Sequence, residues 1–150
     1  MPTAVHTTSR AVALLALVAA CALVVAGCGK SKEDKAQTAV CNARADIQKQ
    51  VDTLTSMSAG TVSITQVEDA LKAIQNDLST IKNEQPNLKP ARQQQVQQAV
   101  STFGAEVATA AKEALSSLNA DKLKANVKTA AQTLASGVKQ ALGPIDCSSA

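Results

Sequence analysis

The sequence predicts an all-α protein: an antiparallel four-helix bundle behind a cleaved N-terminal signal peptide. Three observations predict it. Apolar residues recur at spacings of three and four beyond residue 36. Clusters of Gly, Pro, Ser and Asn divide them into four runs. No alternating strand pattern of any length occurs. The expected parts are a signal peptide over 1–27, a short tether over 28–35 and the bundle over 36–150.

In the first run the apolar residues fall at Val40, Ala43, Ile47, Val51, Leu54 and Met57, one face of a helix. Ser31 with Asp34 is already able to cap a helix ahead of it. "SAGT", Ser58 to Thr61, ends the run at Gly60. Ser63 with Gln66 reads as a capping box, and Val62 as a staple onto Val67. The second stripe is Val67, Leu71, Ile74, Leu78 and Ile81, and "NEQPNLKP" ends it.

Pro90 suits the first turn of a third helix, where its missing N–H costs nothing. That stripe is Val96, Val100, Phe103, Val107, Ala110, Ala114 and Leu118. Continued in phase it would bury Asp121 or Lys122, so the chain must restart, and Asn119 can cap the fourth helix. The fourth stripe is Leu123, Val127, Ala130, Leu134, Val138 and Ala141. Gly143-Pro144 reads as its stop, glycine supplying a left-handed cap. Gly104 and Gly137 lie inside helices, where close helix approach explains them better than a hinge or ligand groove.

Ahead of the bundle, Ala11–Ala26 carries no charge and follows a polar start ending in Arg10. Sixteen residues rise about 24 Å as a helix, short of the roughly 30 Å hydrocarbon core. A cation, a short apolar stretch and small residues at its end read as a secretory signal peptide. Val25-Ala26-Gly27-Cys28 then resembles the lipobox of bacterial lipoproteins. The resemblance implies a diacylglyceryl group on the Cys28 thiol and cleavage just before it, so that Cys28 becomes the N-terminus. The alternative is an ordinary signal peptide cut after Ala22, leaving Cys28 unmodified. The rest of the chain loosely resembles, in style and without a specific motif, small helical lipoproteins of Gram-positive actinobacteria. The implied location is the extracytoplasmic face of the cell membrane, with palmitate-type acylation.

Removing the signal peptide leaves Cys41 and Cys147 beside the lipidated Cys28. An even pair in an exported domain reads as one disulfide; two free thiols or an intermolecular bridge are the alternatives. Parity supports the intramolecular bond. In an up-down-up-down bundle the start of the first helix and the end of the fourth share an end. With three helices the cysteines would lie some 30 Å apart by helix rise, beyond the ~7 Å Cα limit for a disulfide.

The same removal takes away His6, the only histidine. That excludes Ser-His-Asp and Cys-His catalysis and zinc sites built on histidine. Glu33-Asp34 and Glu68-Asp69 sit at helix starts, where the macrodipole gives them a bland role. The expected enzyme activity is none, with no cofactor and no metal. Fourteen cations against twelve carboxylates leave a mature charge of +2, and Phe103 is the only aromatic residue, so nucleic acid is not an expected partner. "RQQQVQQ", Arg92 to Gln98, keeps helical phase through Val96 and reads as a solvated face. Lys122, Lys124 and Lys128 form a modest, solvent-facing basic cluster.

Two functions fit these constraints. One is a membrane-tethered, non-catalytic interaction module with an envelope protein partner, held on a tether of about seven residues, at most ~25 Å. An exposed apolar stripe over a filled core would favour it. The other is a carrier of a small apolar ligand or lipid between the helices, which needs an apolar cavity of a few hundred Å³. A structural spacer is the third possibility.

Overall fold

A computed structural model describes residues 30–59, 62–116 and 119–148, and the chain over them is an all-α four-helix bundle. The helices are α1 (Lys32–Ala59), α2 (Ile64–Glu84), α3 (Pro90–Ala114) and α4 (Ala120–Gly137). A 3-10 turn, Gln85–Asn87, follows α2, and one π turn, Val138–Leu142, extends α4. The principal contacts run α1 to α2, α2 to α3, α3 to α4 and α4 back to α1, the four sides of a ring. This is the up-and-down arrangement that short connections favour. No helix among the described residues is long and apolar enough to cross a membrane.

Local chemistry sets each helix start. Ser31 Oγ accepts the Asp34 N–H at 3.0 Å, and the Asp34 carboxylate accepts the Ser31 N–H at 3.1 Å. This reciprocal cap starts α1 at Lys32, inside the stretch expected to be tether, and shortens that tether. Asn119 Oδ1 accepts the N–H groups of Asp121 and Lys122 and opens α4. Pro90 occupies the first turn of α3 as expected.

The start of α2 differs from expectation. Ser63 is extended, as a cap residue should be, but its side chain makes no capping hydrogen bond. Its carbonyl takes the Val67 N–H at 3.1 Å, while Val62 and Ile64 pack against the core on either side. Apolar packing positions the start of α2, and the Ser63 side chain does not cap it.

The end of α4 also differs. Gly143 is right-handed, with φ −54° and ψ −41°, so it supplies no left-handed cap. Its N–H reaches back five residues to the Val138 carbonyl at 2.7 Å. A Cβ on Gly143 would collide with the Lys139 carbonyl, so glycine is needed here for close approach. The widened turn moves the seam from Ala141, which is half-buried, to Leu142, which is fully buried, and carries Ile145 into the core.

The core follows the predicted stripes. Val40, Ile47, Val51, Leu54, Val67, Ile74, Ile81, Val96, Phe103, Val107, Val127 and Leu134 are essentially inaccessible. Val100 and Met57 are only partly covered, and Ala99 takes the place expected for Val100. Leu118 lies outside the described residues.

The two helical glycines separate. A Cβ on Gly137 would meet the Phe103 ring at 2.8 Å and run into the Glu106 carboxylate, so α3 and α4 approach closely there. A Cβ on Gly104 would meet nothing within 4 Å, so close approach does not explain that glycine.

Candidate functional site at the disulfide-closed end

Parity brings the start of α1, the start of α3 and the end of α4 together, and the tail after Gly143 crosses this end as a strap. Cys41, on the third turn of α1, is bonded to Cys147, with Cα atoms 5.7 Å apart. The predicted pair is thus joined within one chain.

Hydrogen bonds hold the strap along its length. Arg44 donates to the Ile145 carbonyl at 2.6 Å, Gln37 to the Asp146 carbonyl at 3.3 Å and Gln95 to the Pro144 carbonyl at 2.9 Å. Gln37 is the one buried polar side chain among the described residues, and this bond offsets its desolvation. Between these polar ties Ile145 is inserted into the core. Arg92 reaches the Asp146 carboxylate at 3.4 Å. That carboxylate also accepts the Ser148 hydroxyl at 2.7 Å and the Ser148 N–H at 3.0 Å. The two bonds from Ser148, then the Arg92 charge, hold the Asp146 carboxyl below its ordinary range.

The glutamine-rich run is in part the solvated face expected of it and in part a set of internal ties. Gln93 donates to the Leu88 carbonyl at 2.7 Å and ties the α2–α3 connection, while Gln95 ties the strap. Gln94, Gln97 and Gln98 remain exposed. Nothing in the sequence singled out Gln37, Arg44 or Gln95 as strap residues, because their acceptors are backbone carbonyls 49 to 109 positions away.

Two open recesses flank the strap, each about 450 Å³. The first lies between α1 and the π turn, and its only ionisable side chains are Arg44 and Lys139. The second, along α3, is lined by Gln95, Gln98, Thr102, Glu106 and Gln140 among others. An apolar recess beneath Ile145 holds only about 10 Å³, room for at most one water.

The expected carboxylate pairs are scattered. Asp34 caps α1, Glu33 pairs with Lys89 at 3.1 Å, and Glu68 and Asp69 are exposed on α2. No three metal-ligating side chains converge among the described residues. Lys122, Lys124 and Lys128 are exposed at the opposite end of the bundle. The lipobox, Val25 to Cys28, lies outside the described residues. No family model matches the chain, and no curated protein or solved structure matches it.

Proposed function

We propose that the chain is a lipid-anchored protein of the extracytoplasmic membrane face, a non-catalytic helical module that contacts another envelope protein. The observation that carries the reading is Val25-Ala26-Gly27-Cys28 standing directly behind an apolar leader. In this reading a folded domain starts four residues past the lipidated cysteine, since a capped helix begins at Lys32. The oxidising compartment that the anchor implies is also the one in which Cys41 and Cys147 pair.

The partner contact is polar in this reading. Among the described residues Leu115 is the one large hydrophobic side chain left exposed, so the apolar stripe of an adaptor is absent there. Exposed Gln94, Gln97 and Gln98 offer hydrogen-bonding amides instead. The recess beneath Ile145 is far below the volume of a bound lipid chain, and the two recesses of about 450 Å³ are open to solvent, so none of the three is the internal cavity a carrier needs.

The anchor is tested by fractionating cells that express Cys28→Ala. Release of the protein, or retention as an uncleaved precursor, is expected; a membrane-bound product of normal mature size contradicts the anchor. In situ cross-linking of the wild-type chain tests the module. A reproducible envelope protein partner is expected, whereas a retained small molecule found by native mass spectrometry favours a carrier.

A further inference from the structure

We infer that the disulfide-closed end of the bundle is a membrane-apposed surface that binds anionic lipid headgroups through lysines; this rests on the anchor proposed above. Two independent features point to it. The first is reach. From Cys28 to Ser31 the chain makes three Cα steps, at most about 11 Å. Ser31 is already locked into the α1 cap by bonds to Asp34. An anchor at Cys28 therefore keeps the start of α1, and not the far end of the bundle, near headgroup depth.

The second feature is charge. Of the five carboxylates toward this end, Asp77 lies two turns in from the end of α2 and the other four are engaged within the protein. Glu33 pairs with Lys89, Asp146 pairs with Arg92, Asp34 closes the α1 cap and Glu84 accepts the Asn87 amide at 3.2 Å. Lys32, Lys35, Lys82 and Lys139 are exposed, with no carboxylate in ion-pair reach among the described residues. By formal count this end, residues 30–44, 76–95 and 139–148, carries eight cations and five carboxylates, a surplus of three. The opposite end, residues 52–72 and 112–128, carries five cations and five carboxylates and is balanced. Basic side chains within a Debye length of an anionic leaflet are attracted to it, and here the short tether keeps them there.

The anchor alone leaves the bundle free to rotate about its two-residue link. The lysines remove that freedom and stand the helices up from the surface. The exposed glutamines of α3 then face sideways, toward a neighbour in the same membrane.

The test uses the mature chain extracted from membranes and reconstituted on vesicles of phosphatidylcholine, or of phosphatidylcholine mixed with phosphatidylglycerol. Lysine acetylation rates are read by peptide mass spectrometry. Lys32, Lys82 and Lys139 should react several-fold more slowly on the anionic vesicles, with the difference erased by high salt. Lys112, Lys122 and Lys128 should react equally on both. Flotation with pure phosphatidylcholine reports the anchor separately. A chain that floats there but shows no headgroup dependence at Lys32, Lys82 and Lys139 overturns this inference and leaves the anchor standing. A chain that does not float on phosphatidylcholine overturns the anchor, and this inference with it. Free phosphate reproducing the protection on neutral vesicles would mark a soluble-anion site and overturn the lipid assignment.

Discussion

Cys41 and Cys147 stand 5.7 Å apart, Cα to Cα, although 106 positions separate them in sequence. Four antiparallel helices bring them together, and the bond then fixes the strap that carries Ile145 into the core. In the chain-entropy account a loop of this size contributes up to about 4.7 kcal/mol. Replacing both cysteines by serine should lower the thermal midpoint by many degrees while helical content below the transition stays unchanged. Amide exchange should rise first in residues 143–148. An unchanged midpoint would show that the polar ties hold the strap without the bond.

Arg44 tests those ties apart from the disulfide. Its guanidinium meets the Ile145 carbonyl at 2.6 Å from a half-buried position. Arg44→Met keeps the aliphatic stem and removes the donor, so a loss of about 1–3 kcal/mol in denaturant unfolding is expected. A loss within a few tenths would mean that water replaces the guanidinium freely.

The helical glycines should respond in opposite directions. Gly104→Ala adds a methyl group to open space and gains helix propensity, so stabilisation approaching ~1 kcal/mol is expected. Gly137→Ala forces the Phe103 ring or the helix backbone to move, and overpacking of this kind costs about 1–3 kcal/mol. Parallel urea titrations of the two variants decide this; equal shifts of the same sign contradict the packing described.

Asp77 offers a pH signature. Burial, and then the Asp46 charge, raise its carboxyl above the ordinary value. The folded state therefore holds this proton more readily than the unfolded state does. Ionised Asp77 costs stability above its folded value, and the cost fades as pH falls through that value toward the unfolded one. Asp77→Asn should raise the midpoint near neutral pH, with the gain shrinking in acid. Asp146 runs the other way. Its lowered carboxyl contributes stability above the ordinary carboxylate value and loses it as pH falls through the folded value.

Much of the fold was legible because bundles write their seams into the sequence. The stripes through Ile47, Ile74, Phe103 and Leu134 are buried as the three-and-four spacing requires. The phase slip before Leu123 marked the α3–α4 break, and helix parity anticipated the disulfide. The π turn was not legible, since Val138 and Ala141 continue an ordinary α stripe and only tertiary packing selects Leu142. Gly143-Pro144 identified the stop correctly but not its conformation. The strap partners were hidden for a simpler reason: every residue has a carbonyl, so a donor such as Gln37 carries no signal of which one it meets.

In the proposed reading Cys28 carries the lipid and begins the mature chain. Mass spectrometry of the N-terminal peptide recovered from the membrane tests it most directly. The expected product is a peptide starting at Cys28, its mass raised by a thioether-linked diacylglyceryl group. A peptide starting at Leu23 with an unmodified Cys28, or one still beginning at Met1, would contradict it.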